Sequence, residues 1–217
     1  YFEQSGKPQR DCPEMYQKTA IILLVYIGSY IALVFVAATW WQGLGLAILL
    51  GLAMAAIGFN IEHDGGHLAY SNHQWINRLM AMTMDLLGAS SYVWHWKHDV
   101  NHHTYVNITG HDVDIELGFV GRLSPHQKHF KFHRWQHFYL WPLYGLNVIK
   151  WQFYDDFRDV ILGRIGQARM PRPRRLGWVQ FIGAKAVFFA MAFVIPGMLH
   201  RSWTVILFYI ATVFTAG

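Results

Sequence analysis

Two short stretches of the chain carry histidines at spacings that suit a bound metal ion. His63 and His67 lie four residues apart in EHDGGH, and WHWKHDVNHH contains His98, His102 and His103. Residues four apart on an α-helix share one face, so each stretch would present its imidazoles together. Neutral imidazoles suit iron, zinc or copper, and they do not suit magnesium or calcium. These five histidines are the candidate metal ligands.

Spacing alone is weak evidence for such a site. Thirteen histidines in 217 residues predict about 0.7 pairs at this spacing, and four pairs occur. The other two pairs share His133 and extend to His129 and His137, in a segment rich in bases and aromatic residues. We expect that trio to form the polar face of an interfacial helix. His95, between two tryptophans, is expected to be interfacial as well.

Neighbouring acids distinguish the first two clusters from the basic segment. Asp64 follows His63, and Asp99 follows His98. Carboxylates commonly orient a ligating imidazole by accepting its other N–H, so we predict this role for Asp64 and Asp99. The same residues are compatible with a zinc hydrolase, in which Glu62 or Asp64 would be the base that activates water.

The elements that must position these histidines have the composition of a membrane protein. Hydrophobic residues make up 53% of the chain and charged residues 14%, against roughly 45–50% and 25% in soluble domains. No charged residue occurs between Lys18 and Glu62. That run is too long for one crossing of a bilayer, which needs roughly 20 residues. We predict two helices, Thr19–Ala38 and Leu44–Ile61, joined by a turn at Thr39–Gly45.

A second apolar region follows the histidine clusters. It runs over Leu176–Leu199 and then Trp203–Gly217, which predicts a second pair of helices whose last member is incomplete. Lys185 lies inside this region, and we expect its ammonium group to extend toward the lipid headgroups. The expected fold is therefore an all-α integral membrane protein with two transmembrane hairpins, and a helical cap carries the histidines.

The sequence predicts one domain with three parts: a first hairpin over residues 19–61, a histidine-rich region over 62–177 and a second hairpin over 178–217. Within the middle part, the Met-rich stretch Asn77–Trp94 is predicted to be one helix in the membrane interface. The stretch His126–Leu146 is predicted to be a second interfacial helix, broken near Pro142.

Basic residues set the expected orientation. Three of them precede the first helix and thirteen lie between Glu62 and Gly177, whereas the predicted turn Thr39–Gly45 has none. The positive-inside rule places the N-terminus and the histidine clusters in the cytoplasm. The net charge of +5 and the basic run Ala168–Trp178 fit contact with anionic lipids, and no motif indicates a nucleic-acid partner. The single cysteine, Cys12, excludes an internal disulfide and a cysteine-rich metal site.

At these residues the chain resembles the membrane fatty acid desaturases and hydroxylases. HDGGH (His63–His67) is similar to their first histidine box, and HDVNHH (His98–His103) is similar to the second. The stretches Thr104–Glu116 and His133–Leu146 are similar to the family as well. The resemblance covers residues 60–157 most strongly.

The resemblance implies a cytoplasmic centre of two non-haem iron ions with His63, His67, His98, His102 and His103 as ligands. It implies that Asp64 and Asp99 orient these ligands. A fatty acyl chain, linked to a lipid, coenzyme A or a carrier protein, would enter a tunnel. Dioxygen and two electrons from a separate ferredoxin or cytochrome b5 would then produce a double bond. The Met-rich helix and the aromatic residues around Trp94 and Trp96 would line the acyl path.

The chain also departs from the family pattern. A third box of the HxxHH or QxxHH type is absent, and the sequence starts at Tyr1 and ends at Gly217 within an apolar run. We therefore expect a fragment that is inactive alone, from a multi-pass protein of a bacterial inner membrane or the endoplasmic reticulum. The two histidine boxes do not show whether the enzyme is a desaturase, a hydroxylase or an acetylenase. A zinc hydrolase of lipid amides or esters would also fit the histidine pattern, and so would a non-enzymatic membrane scaffold.

Overall fold

Helices dominate the computed structural model, which describes Gly6 and residues 8–217. Within these described residues, three helices are long and apolar enough to cross a membrane, at Pro13–Val36 (α1), Trp40–Gly66 (α2) and, later in the chain, Leu176–Leu199. Helices satisfy their own backbone hydrogen bonds, as a chain surrounded by lipid must. The prediction of a mostly helical membrane protein is confirmed at this level.

Helices α1 and α2 pack together and run in opposite directions. Near the start of α1, Lys18 Nζ donates to Asn60 Oδ1 near the end of α2 at 3.1 Å. Buried side chains between them, including Tyr26, Leu50 and Ile57, form the main apolar core with residues of the segment that follows.

The connection between α1 and α2 is shorter than the predicted turn Thr39–Gly45. Thr39 caps α2, because its Oγ1 accepts the Gln42 N–H at 3.3 Å and its own N–H donates to Gln42 Oε1 at 3.1 Å. This reciprocal capping starts the helix at once. Trp40 and Trp41 therefore lie in the first helical turn and not in a loop.

The predicted single helix Asn77–Trp94 is wrong. The chain instead forms three short helices: α3 at Gln74–Ala81, α4 at Thr83–Leu86 and α5 at Ser91–Trp94. Gly88 ends the second of them with a left-handed φ of 84°, and Ser90 caps the third by accepting the Val93 N–H. A π-helical segment, His95–His102, continues α5.

The predicted interfacial helix His126–Leu146 has different bounds in the structure. A short 3₁₀ turn, Lys131–Trp135, leads into α6 at Gln136–Lys150, which passes Pro142 without a break. Gly145 allows α6 to approach Phe214 closely, because a Cβ atom at this position would collide with the Phe214 ring. A π-helical segment at Trp151–Asp155 then joins α6 to α7, which spans Asp156–Leu162.

The last part of the chain returns to the helical bundle. A small antiparallel hairpin of β1 (Arg164–Ile165) and β2 (Ala168–Arg169) is followed by α8 at Leu176–Leu199. The shorter helix α9, Ser202–Ala216, packs on α2, where Gly43 faces Phe208 and Gly51 faces Thr212.

Lys185 of α8 does not extend toward the headgroups, so that prediction is wrong. Its side chain is buried, and its Nζ donates to Gly88 O at 2.7 Å, Asp156 Oδ2 at 2.8 Å and Gln152 O at 3.2 Å. These three acceptors replace the water that a charged ammonium group would otherwise require. The contact fixes α8 against the histidine-rich region.

Candidate metal centre

The first histidine cluster lies at the end of α2. A π-helical turn, Gly58–Glu62, carries α2 beyond its predicted end, so that His63 lies in its last turn and His67 directly follows it. The ring centroids of the two histidines are 4.5 Å apart. Between them, Gly66 lies so close to the Trp94 ring that a side chain at this position would collide with the indole.

The second cluster lies on the π-helical segment His95–His102 and the residue after it. The rings of His98 and His102 lie nearly parallel with centroids 5.1 Å apart, while His103 turns toward the first cluster. A π-helix is rare, and it often occurs at functional sites. The α-helical spacing assumed from the sequence is wrong here, but the two imidazoles still share one side.

All five predicted ligands come together in the structure. The centroid of the His67 ring lies 5.4 Å from that of His98 and 4.6 Å from that of His103. His63 lies 5.5 Å from His98 by the same measure. Ligand atoms of His63, His67 and His98 all lie within 4.8 Å of one another. A second group with the same property contains His98, His102 and Asp114.

Two ring nitrogens at the centre of this cluster are buried and have no hydrogen-bond partner among the described residues. They are His67 Nε2 and His98 Nε2. Buried polar atoms nearly always have a partner, so each exception needs an explanation. A transition metal bound between the two histidine boxes would provide that partner, since a neutral imidazole nitrogen is a ligand for iron, zinc or copper. The residues present therefore fit a metal site.

Carboxylates face the opposite nitrogens of these rings. Asp99 Oδ1 lies 3.4 Å from His67 Nδ1, and Asp114 Oδ2 lies 3.5 Å from His98 Nδ1. Asp112, which is fully buried, places Oδ1 at 3.0 Å from His102 Nδ1. The contact between Asp112 and His102 is a hydrogen bond that fixes the orientation of this ring and leaves its Nε2 for a metal. The carboxylates of Asp99 and Asp114 lie at ion-pair distance from the other two rings.

Not every predicted orienting residue has this geometry. Asp64 forms no side-chain hydrogen bond or ion pair with a histidine among the described residues, and its role stays a prediction. His95, which we expected to be interfacial, places Nδ1 at 2.9 Å from Asp99 Oδ2. It therefore belongs to the edge of the site.

Sequence reasoning did not assign roles to Asp112 and Asp114. Both lie at a 3₁₀ turn, Val113–Ile115, whose N-cap is Asp112. The turn folds back onto the second cluster, and Lys97 Nζ lies 3.3 Å from Asp114 Oδ1. The available signal was the pair of acids two residues apart in HDVDI, shortly after the second box.

The electrostatic environment favours neutral imidazole and ionised carboxylate. Burial lowers the pKa of His67, and this effect outweighs the opposing charge of Asp99. Burial by itself would raise the pKa of Asp114. The hydrogen bond with His98 and the nearby Lys97 charge outweigh it, so that the pKa lies below its ordinary value. Metal binding requires this combination, because a protonated imidazole has no free lone pair.

His133, which belongs to both histidine pairs of the basic segment, bonds to backbone groups. His133 is buried, with Nε2 at 2.9 Å from Phe119 O and Nδ1 accepting the Phe130 N–H at 3.3 Å. Both ring nitrogens are used, so His133 has none free for a metal. The expectation of a polar face is wrong for His133, which lies in the interior, while His129 is exposed.

Apolar space occurs inside the helical bundle. A cavity of about 590 Å³ lies among α1, α2, α8 and α9, and its walls include Tyr30, Met54, Leu86 and Phe208. Trp94 packs flat on His98 with ring centroids 4.5 Å apart, and its place along an acyl path stays a prediction. It forms one wall of the histidine cluster.

Fold and site together define a class of protein: a helical membrane protein with a histidine-rich candidate centre for a transition metal. The model of the family described as "Fatty acid desaturase" matches residues 38–217, and the chain belongs to this family.

Three relatives show the extent of the similarity. The chain is 37% identical to the sn-1 linoleoyl-lipid 6-desaturase of Arthrospira platensis, over 90% of this chain and 53% of the relative. It is also 37% identical to the protein of that name from Synechocystis, over 90% and 55%. An acyl-lipid (8-3)-desaturase of Physcomitrium patens is 31% identical over 100% and 46%. The chain thus spans about half the length of these relatives. No solved structure matches it.

Proposed function

We propose that the protein is a membrane-bound acyl desaturase that introduces a double bond into an acyl chain at a histidine-ligated centre of two iron ions. The observation that carries the proposal is the convergence of both histidine boxes around two buried Nε2 atoms without partners, those of His67 and His98. The names of the relatives support an acyl group carried by a lipid as the substrate.

The reaction must balance in electrons and protons. Two adjacent carbons of the acyl chain each lose one hydrogen atom, and a carbon–carbon double bond forms. Two electrons from a separate donor protein and two protons complete the reduction of dioxygen to two water molecules. Bound iron would supply the activation of dioxygen, which no amino-acid side chain provides.

The residues of this chain prepare the site for that chemistry. His63, His67, His98, His102 and His103 would hold the iron ions. Asp99, Asp112 and Asp114 face the Nδ1 atoms of His67, His102 and His98 and keep each Nε2 directed inward. Trp94 covers His98 and restricts access of water from that side. The apolar cavity of about 590 Å³ provides space for a hydrocarbon chain within the bundle.

We further propose that the two helical pairs cross the membrane and leave the histidine cluster on the cytoplasmic side. The end of α2 and the segment after it carry the histidines, and thirteen of the eighteen basic residues lie in this region. The positive-inside rule favours the cytoplasm for such a region. A soluble electron donor would reach the centre from there.

Metal analysis combined with a product assay tests this function. The intact protein, purified from cells grown with iron, is expected to contain about two iron ions per chain. The acyl lipids of the cells that produce it are expected to contain an additional double bond. His98→Ala is expected to lose both iron and product. His129→Ala, which replaces an exposed histidine outside the cluster, is the matched control and should retain both.

Three results would contradict the proposal. Stoichiometric zinc with no iron would favour a hydrolase, and an iron-loaded protein that forms a hydroxylated acyl chain would favour a hydroxylase. Absence of any bound metal in the intact, folded protein would exclude an enzyme of either kind at this site.

A further inference from the structure

Five exposed arginines lie close together in sequence between α7 and α8. They are Arg164, Arg169, Arg172, Arg174 and Arg175. The sequence contains no aspartate or glutamate from residue 160 to residue 217. Within the described part of the chain, none of the five forms an ion pair with a carboxylate. This region, residues 164–175, is named the arginine hairpin below.

The β-hairpin holds two of these arginines directly opposite each other. Arg164 pairs with Arg169 across the two strands. Like charges at directly opposite positions destabilise a sheet, and their Cβ atoms lie about 5 Å apart. The alternation of the strands buries Ile165 and Met170 in an apolar cluster with Val160, so both arginines must point outward. The hairpin therefore holds two guanidinium groups within reach of a single anion.

The part of the arginine hairpin that follows its two strands is held in place by hydrogen bonds. Arg172 Nη2 donates to Ile161 O at 2.8 Å, and Pro171 O accepts the hydroxyl of Tyr92 at 2.7 Å. The arginines are thus displayed on an anchored segment, which reduces the conformational entropy lost on binding a ligand.

Aliphatic side chains surround the arginines. Ile161 is 64% exposed, Leu176 is 82% exposed, and Leu162 and Val179 are exposed too. Leu176 begins α8, one of the helices long enough to cross a membrane. Mixed arginine and aliphatic surface suits the boundary between headgroups and acyl chains, where both chemistries meet. An acidic protein partner would explain the arginines and leave the exposed aliphatic residues unexplained.

We propose that the arginine hairpin is a binding site for the phosphate headgroup of an anionic membrane lipid. Arg164 and Arg169 bind the phosphate oxygens through their paired guanidinium groups, which match phosphate geometry. Arg174 and Arg175 add charge at the start of α8, and Leu176 and Val179 contact the acyl chains. The site is separate from the histidine cluster and does not depend on bound iron.

Lipid retention measured by native mass spectrometry tests this site. The protein is reconstituted into nanodiscs of equal parts phosphatidylglycerol and phosphatidylcholine, and the lipids retained after release are counted. The wild-type protein is expected to retain phosphatidylglycerol preferentially. The double variant Arg164→Gln/Arg169→Gln is expected to bind phosphatidylglycerol about tenfold more weakly. Its control, Arg78→Gln/Arg201→Gln, removes the same charge from two exposed positions outside the hairpin and should behave as the wild type.

A charge-conserving variant separates paired guanidinium recognition from simple attraction. Arg164→Lys/Arg169→Lys keeps both charges and is expected to show an intermediate loss, about threefold. This variant also decides the matter if the glutamine variant does not fold. Equal retention of the two lipids by the wild type, an equal loss in the control, or full retention in the lysine variant would each overturn the proposal.

Discussion

Asp99 joins the two histidine boxes, because its Oδ1 lies 3.4 Å from His67 Nδ1 although the residues are 32 positions apart in the chain. Its other oxygen, Oδ2, lies 2.9 Å from His95 Nδ1. A carboxylate from the second box therefore lies beside a predicted ligand of the first. Asp99 thus places one negative charge between histidines of both boxes.

This relationship predicts that Asp99→Asn weakens iron binding. The amide keeps the shape of the side chain but loses the negative charge that lies 3.4 Å from His67 Nδ1. We expect affinity for Fe²⁺ to fall about 10–100-fold, measured by competition with a chelator. Asp64→Asn is the comparison, because it removes an equal charge from an acid that forms no side-chain hydrogen bond or ion pair with a histidine among the described residues. An equal loss in both variants would show that local charge matters and the specific contact does not.

The first box was predictable because its signal is local. The uncharged run ends at Glu62, and His63 and His67 follow it directly. Hydropathy alone therefore predicts that these two histidines lie at the end of a membrane helix. The sequence also singled out Asp99 as an acid beside the second box, but it did not indicate that this carboxylate would lie beside His67 of the first box. Two apolar regions separated by a polar one predicted the mostly helical fold for the same reason.

Other features depend on contacts between distant segments and were not predictable. The π-helical form of His95–His102 is not encoded by the spacing, which is equally compatible with an α-helix. Asp112 and Asp114 reach His102 and His98 only because the intervening loop folds back. The buried ammonium group of Lys185 donates hydrogen bonds to acceptors that lie 29–97 residues away in the chain. Periodicity contains no information about such partners.

His133 provides a second test of the ligand assignment. We expect His133→Ala to retain full metal content, since both of its ring nitrogens serve backbone groups. The variant leaves Phe119 O and the Phe130 N–H without their partner, which costs about 1–3 kcal/mol of stability. Metal analysis and thermal unfolding in detergent measure the two effects. Loss of iron in a folded His133→Ala protein would mean that the ligand set is wrong.

The buried pair of Lys185 and Asp156 predicts a large change in stability. Lys185→Met leaves Asp156 without its partner at a buried position, and we expect a loss of about 3–5 kcal/mol. The control is Lys150→Met, which removes an exposed lysine paired with Asp155 and should cost less than about 1 kcal/mol.

A double variant isolates the unpaired charge as the cause. Lys185→Met/Asp156→Leu removes both charges together, and we expect it to recover most of the stability lost by Lys185→Met alone. Thermal unfolding of the four proteins in one detergent gives the comparison. No recovery in the double variant would indicate that the hydrogen bonds of Lys185 to Gly88 O and Gln152 O are the main contribution.

Gly166, in the turn of the arginine hairpin, links that hairpin to the wall of the metal site. Its φ is 55°, and a Cβ built on it would lie 2.6 Å from Val113 Cγ1. Val113 lies between Asp112 and Asp114, which face His102 and His98. We expect Gly166→Ala to lose about 1–2 kcal/mol from backbone strain and the collision together and to weaken iron binding as the turn moves. Gly118→Ala is the matched control, because Gly118 has a φ of 63° and open space around its Cβ position, so that it carries the strain alone. Equal iron affinity in the two variants would show that the hairpin and the metal site are independent.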